Sequence, residues 1–174
     1  MVIKEGVKII NDDLFTAYKD LEVVSLPKSL KTIGWNAFCS CINLKKINLE
    51  CTNLESIGPY AFAYCGLLEE CKIPDTIKII EEGAFLGCVK LKIPESLEYL
   101  EKIRARAFEG CEAIESVKLS AKFEQLGKAA FKGCVNLVKF EILGVLSIYQ
   151  DEENQPSHDF TNAQAQFTFS EHCF

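Results

Sequence analysis

Nine cysteines and two histidines are the residues of this 174-residue chain with the widest chemical reach, and their spacing decides between catalysis, metal binding and packing. A zinc site needs paired ligands at set intervals. Cys39-Ser40-Cys41 and His172-Cys173 are short and isolated, so neither predicts a metal centre. Both histidines, His158 and His172, fall in the final segment, and no spacing assigns a base to a serine or cysteine nucleophile. Gly127-Lys128 lacks the preceding Gly-x-x-x-x of a phosphate-binding loop. These residues predict no enzyme, no metal and no cofactor. Five of the cysteines, Cys41, Cys65, Cys88, Cys111 and Cys134, instead recur at intervals of 24, 23, 23 and 23 residues. A recurring thiol behaves as a small buried hydrophobe, and its nearness to the next copy does not by itself give disulfide geometry.

The elements that position these thiols repeat on the same beat. Phe15, Phe38, Phe62, Phe85, Phe108 and Phe131 lie 23, 24, 23, 23 and 23 residues apart. Ala precedes the Phe from the second unit onward, at Ala37, Ala61, Ala84, Ala107 and Ala130, and Cys follows it by three, with Tyr18 in that place in the first unit. Six residues after the Phe stand Leu21, Leu44, Leu68, Leu91, Ile114 and Leu137. Five before it stand Ile10, Ile33, Ile57, Ile80, Ile103 and Leu126, and eight before it Val7, Leu30, Leu54, Ile77, Leu100 and Phe123. A period of this length predicts stacked coils, each unable to bury its apolar set alone.

Within each coil a short apolar-polar-apolar stretch has the period of a half-buried strand, as in Val24-Ser25-Leu26, Ile47-Asn48-Leu49, Cys71-Lys72-Ile73, Val117-Lys118-Leu119 and Phe140-Glu141-Ile142. Pro27, Pro74 and Pro94 end it, because proline lacks the N–H a ladder needs. The remaining apolar positions recur about every third residue, which predicts tight turns or short 3₁₀ segments. Gly34, Gly58 and Gly127 are read as bends needing an unusual backbone angle. In the fourth unit Ile93-Pro94 arrives early, placing the strand at Leu91-Lys92-Ile93, moving Leu91 out of its column and bulging Glu98 to Lys102 outward. Ile3, Val7 and Ile10 already keep register, and the beat fails at Asn154. The expected organisation is a solenoid of about six coils over residues 1–149, followed over 150–174 by a C-terminal cap or a loose tail that ends in a strand-like Gln166-Phe167-Thr168-Phe169.

The run Pro27-Lys28-Ser29-Leu30-Lys31-Thr32-Ile33-Gly34-Trp35-Asn36-Ala37-Phe38-Cys39-Ser40-Cys41-Ile42-Asn43-Leu44-Lys45-Lys46-Ile47 resembles the BspA-like leucine-rich repeat, and the match extends over about residues 2–149. The resemblance implies an α/β leucine-rich-repeat solenoid with a parallel β-sheet on the concave face and short turns or 3₁₀ segments on the convex side. Many members of that class look like surface proteins of bacteria and protists that bind host or matrix proteins, so an adhesin-like, cell-surface role is one expectation.

Composition points elsewhere for location. The N-terminal residues lack a signal peptide's basic and apolar regions, no Asn-x-Ser/Thr sequon is present, and the cysteines read as free thiols, so the cytoplasm is the first expectation. No apolar run is long enough for membrane insertion, and a net charge of −6 argues against nucleic acid as partner. The surface to watch is the exposed side of the strands. Its central column would hold Ser25, Asn48, Lys72, Lys92, Lys118 and Glu141, and the column before it Val23, Lys46, Glu70, Lys90, Ser116 and Lys139. Six lysines against two glutamates form a basic stripe suited to a protein partner with an acidic surface, although lysine also serves simply to solvate a sheet and blunt aggregation. Trp35 either packs over a neighbouring coil or stands out as an interface anchor. The second expectation is a structural unit that associates with itself through the edge of its N-terminal coil.

Overall fold

The computed structural model describes residues 1–50, 52–94, 96–143, 147–148 and 166–169. The chain is a β-solenoid of about six turns carrying two lines of parallel strands. The expected line comprises β2 (Val23–Val24), β4 (Lys46–Asn48), β6 (Glu70–Lys72), β8 (Ser96–Leu97), β10 (Ser116–Leu119) and β12 (Lys139–Ile142). A second line of two-residue strands, unforeseen from the sequence, runs through β1 (Ile9–Ile10), β3 (Thr32–Ile33), β5 (Ser56–Ile57), β7 (Ile79–Ile80), β9 (Lys102–Ile103), β11 (Gln125–Leu126) and β13 (Ser147–Ile148). From β1 to β9 its buried residue is the aliphatic five before each Phe, and it forms the sheets β1-β3-β5 and β7-β9-β11-β13. In the first line β2-β4-β6 and β8-β10-β12-β14 are likewise separate sheets. β14 (Gln166–Phe169) lies parallel to β12, with Lys139 opposite Gln166 and Ile142 opposite Phe169. The rest of the expected cap, and Asn154 with it, lies outside the described residues.

The apolar columns fill the interior. Phe38, Phe62, Phe85 and Phe108 are fully buried, and successive rings from Phe15 to Phe131 stack at 5.2–5.5 Å with planes within 18°. Phe140 closes the column edge-on against Phe131 at 5.3 Å. Each aromatic pair adds about 0.5–1.5 kcal/mol beyond the area it buries.

Around each Phe the chain turns without any helix among the described residues, contrary to the expected α/β class and 3₁₀ segments. Residues two before and two after every Phe have positive φ: Asp13 and Ala17, Asn36 and Ser40, Tyr60 and Tyr64, Gly83 and Gly87, Arg106 and Gly110, Ala129 and Gly133. A left-handed residue at every fourth position prevents the run of right-handed residues that a 3₁₀-helix requires. Isolated i→i+3 turns remain, such as Cys39 N–H to Asn36 O at 2.9 Å and Cys41 N–H to Phe38 O at 3.2 Å. The alternate N–H groups point along the stack. Asn36, Phe38 and Ser40 donate to Pro59, Ala61 and Ala63 of the next coil at 3.0, 2.8 and 2.7 Å, and this pattern repeats up to the sixth coil.

Gly34, Gly58 and Gly127 have no positive φ, so the reading of an unusual angle is corrected. They are needed for close approach: a Cβ on Gly58 would stand 2.7 Å from the carbonyl carbon of Gly34, and one on Gly127 would clash with the backbone at Arg104 and Ala105.

The fourth coil also departs from expectation. Its strand is Ser96–Leu97, with Ser96 opposite Lys118 and Leu97 opposite Leu119, and of the expected Leu91-Lys92-Ile93 only Lys92 forms an isolated β-bridge. Leu91 stays in its column, fully buried, because its N–H closes the same turn onto Cys88 O (3.0 Å) that Leu44 closes onto Cys41 O. The extra residues therefore supply the strand instead of bulging outward. Leu100 is buried, and the Tyr99 hydroxyl donates to Ile73 O at 2.9 Å.

Phe85→Ala, in the middle of the stack, lowers stability by about 3–5 kcal/mol in urea denaturation, as expected for a buried aromatic. Ala17→Gly acts oppositely, because glycine relieves the left-handed strain at an exposed site; a gain of about 0.5–1 kcal/mol is expected.

Candidate functional site

Among the described residues, groups with chemical potential accumulate in the cysteine column. Each thiol donates to the Phe carbonyl of the preceding coil: Cys41 to Phe15 O at 3.0 Å, Cys65 to Phe38 O at 3.1 Å, Cys88 to Phe62 O at 3.0 Å, Cys111 to Phe85 O at 3.1 Å and Cys134 to Phe108 O at 3.1 Å. That carbonyl already accepts the turn N–H of its own coil, so the thiol fills its second lone pair. The cysteines are free and, apart from the partly exposed Cys39, buried among the described residues. Burial pushes the Cys41 thiol up to about 11 and the Cys134 thiol to about 12, and raises Cys65, Cys71, Cys88 and Cys111 as well. A protonated, enclosed thiol is neither nucleophile nor metal ligand. Among the described residues no group of three or more His, Cys, Asp or Glu converges on a metal position, and His158 and His172 lie outside them.

The exposed face of the long-strand line is a second surface of repeated, displayed side chains. Strand pleating puts Ile47, Cys71, Val117 and Phe140 inside and Lys46, Asn48, Lys72 and Lys139 outside, while Lys118 and Glu141 are half-buried on the same side. Register aligns Val23 with Lys46, Asn48 with Lys72, Ser116 with Lys139, and Ser96 with Lys118 and Glu141. Lys90 does not belong to these columns, and Lys92 meets the strand line only through an isolated β-bridge. Lys90 lies in the turn after Cys88, and Lys92 follows Leu91 in the place of Glu69, because the fourth strand begins only at Ser96. Early Pro94 made the sequence point to the wrong segment.

The stripe is also not purely basic. Lys72 Nζ stands 3.3 Å from the Glu50 carboxylate, Lys90 Nζ 3.5 Å from Glu69 and Lys118 Nζ 3.8 Å from Glu141. Nearby, Lys45 meets Glu22 at 3.0 Å and Lys31 meets Glu55 at 2.6 Å. Exposed pairs of this sort contribute under about 1 kcal/mol each to stability. Their effect is to interleave signs along the face. Counting the column residues alone missed Glu50 and Glu69, which lie just outside the columns and reach the lysines of the following coil. Trp35, 46% exposed, is neither buried against a neighbouring coil nor fully displayed.

A family model for the BspA type leucine-rich repeat region, with six copies, matches residues 1–98 and 55–152. The chain belongs to the BspA type leucine-rich repeat family. Its structure is similar to that of a leucine-rich repeat protein of T. pallidum, with a TM-score of 0.70 and 26% identity over 83% of this chain and 72% of that one. A leucine-rich repeat protein of Bacteroides ovatus gives a TM-score of 0.66 and 28% identity; the match covers 98% of this chain but 46% of that longer one. No curated protein matches the sequence. Leucine-rich repeat arrays of this family generally serve as protein-interaction modules and are typically non-enzymatic, and their repeated surfaces suit that use.

The thiol column makes a prediction about pH. The folded state holds Cys41 at about 11 against an ordinary 9.0, so its protonated form supports the fold fully below pH 9. Stability then falls as pH rises from 9 through 11, because the unfolded chain loses thiol protons first. Urea midpoints measured across that range should decline, and native thiol titration at neutral pH should modify Cys39 well before the five column cysteines.

Proposed function

We propose that this chain is a non-enzymatic interaction module that holds a protein partner on the exposed face of its long-strand line. Lys46, Asn48, Lys72, Lys118, Lys139 and Glu141 form the contact surface, with Lys90 and Lys92 at its margin. The observation that supports this reading is the strand alternation itself, which displays polar and charged side chains at strand spacing, about 4.8 Å, on a backbone fixed by the core behind it. Side chains on such a frame lose little conformational freedom on binding. The interleaved carboxylates make the partner surface one of mixed sign with an acidic bias, able to meet the lysines while leaving Glu141 and Glu50 opposed to cations.

The test is affinity capture with the wild-type chain beside a Lys46→Glu, Lys72→Glu, Lys139→Glu variant. A protein retained by the wild type is expected to bind the variant about tenfold or more weakly, with the thermal midpoint moved by less than about 2 °C. Equal retention by both proteins places the interface on another face.

A further inference from the structure

We propose that the solenoid is two separately opening blocks, coils one to three and coils four to six, that meet at a seam between β5 and β7 and between β6 and β8. At each of the other four junctions among coils one to six, three backbone bonds tie the second line of strands to the coil before it. Lys31 and Thr32 donate to Lys8 O and Gly34 to Ile10 O; Glu55 and Ser56 donate to Lys31 O and Gly58 to Ile33 O, all at 2.7–3.2 Å. Beyond the seam, Glu101 and Lys102 donate to Lys78 O and Arg104 to Ile80 O, then Glu124 and Gln125 to Glu101 O and Gly127 to Ile103 O, at 2.7–3.3 Å. The corresponding donors at the third-to-fourth junction are Lys78, Ile79 and Glu81, and none of them bonds to Glu55 O or Ile57 O. β5 and β7 accordingly belong to different sheets, as do β6 and β8.

What crosses the seam lies mainly on the Phe side. Tyr60, Phe62 and Tyr64 donate to Glu82, Ala84 and Leu86 at 2.8, 2.9 and 2.6 Å, the Phe62 and Phe85 rings stack at 5.5 Å, and the Cys88 thiol reaches Phe62 O. Elsewhere, among the described residues, the polar ties are fewer: the Lys92 N–H to Glu69 O at 3.3 Å, where Lys92 forms an isolated β-bridge, the Lys90–Glu69 ion pair, and the hydroxyls of Thr76 and Tyr99, which reach Leu54 O at 2.6 Å and Ile73 O at 2.9 Å. Densely hydrogen-bonded along one side and held along the two strand lines mainly by the packing of Leu54, Ile57, Ile77 and Ile80, the junction has the form of a hinge whose pivot is the Phe arc and whose opening side is the strands. One departure of the sequence coincides with it: the following strand is displaced past Pro94.

Amide hydrogen exchange of the whole chain tests this. In the wild type, Lys78, Ile79 and Glu81 should exchange at least about 100-fold faster than Glu101, Lys102 and Arg104, their counterparts one coil on. Because an unbonded amide exchanges quickly even in a rigid array, a second arm isolates the coupling. Phe38→Ala, inside the first block, should accelerate Gly58 and Lys46 while leaving Arg104, Gly127 and Gly110 within about threefold of wild type; Phe108→Ala should do the reverse. If either substitution accelerates both blocks together, or if Phe38→Ala unfolds the whole chain, the six coils act as one unit and the proposal is overturned. Equal protection at Lys78 and Glu101 overturns it as well.

Discussion

A chain that turns tightly without forming a helix must still find partners for its peptide groups, since a buried, unpaired N–H or carbonyl costs about 1–3 kcal/mol. Here the solution is a fixed alternation of backbone hand around each Phe. Left-handed residues at Asp13 and Ala17, and at the matching sites of every later coil, send alternate N–H groups along the stack and leave the others to close turns within the coil. Eight of these twelve residues are not glycine, so the arrangement carries steric strain of about 1 kcal/mol or more at each. The strain is offset by a ladder that runs beside a continuous stack of rings. Everything else in the molecule is positioned by that wall.

The cysteines belong to the same arrangement. A Phe carbonyl facing the next coil has a lone pair left over after its own turn bond, and a side chain that fits there must be small, apolar enough to be buried and able to donate. Cysteine meets all three conditions. Its raised pKa follows from the enclosure, so the residue type that suggests chemistry in the sequence is the one the structure makes least reactive. Interaction then falls to the side of the coil where the strands alternate, and there the sign of the surface is set by pairs that bridge successive coils, not by the strands alone.

Much of the fold was legible because the columns of the repeat coincide with burial. Each Phe from Phe38 to Phe131, and each aliphatic six residues after it from Leu21 to Leu137, lies in the core. Three features were hidden, each for a physical reason. The two-residue strands such as Thr32–Ile33 are too short to show alternation, and only the pairing of neighbouring coils defines them. The left-handed sites are occupied by Asp, Asn, Tyr, Ser, Ala and Arg as well as Gly, so composition did not mark them, while the conspicuous Gly34, Gly58 and Gly127 answered to interatomic clearance. The fourth strand was misplaced because Ile93-Pro94 imitates the Leu26-Pro27 and Ile73-Pro74 corners, whereas register with Lys118 and Leu119 selects Ser96–Leu97. That single shift moves Lys90 and Lys92 to the margin of the candidate surface.

The ladder beside the Phe rings has a direction. Three peptide groups per coil all aim their N–H toward the C-terminal side and their carbonyls toward the N-terminal side, from Asp13, Phe15 and Ala17 through Arg106, Phe108 and Gly110. Aligned peptide dipoles add, as they do in an α-helix, whereas those of ordinary β-strands largely cancel. One flank of this all-β array is thus an electrically polar rod lying perpendicular to its strands, negative toward the first coil and positive toward the sixth. A charged group set beside that flank feels a potential that depends on which coil it faces.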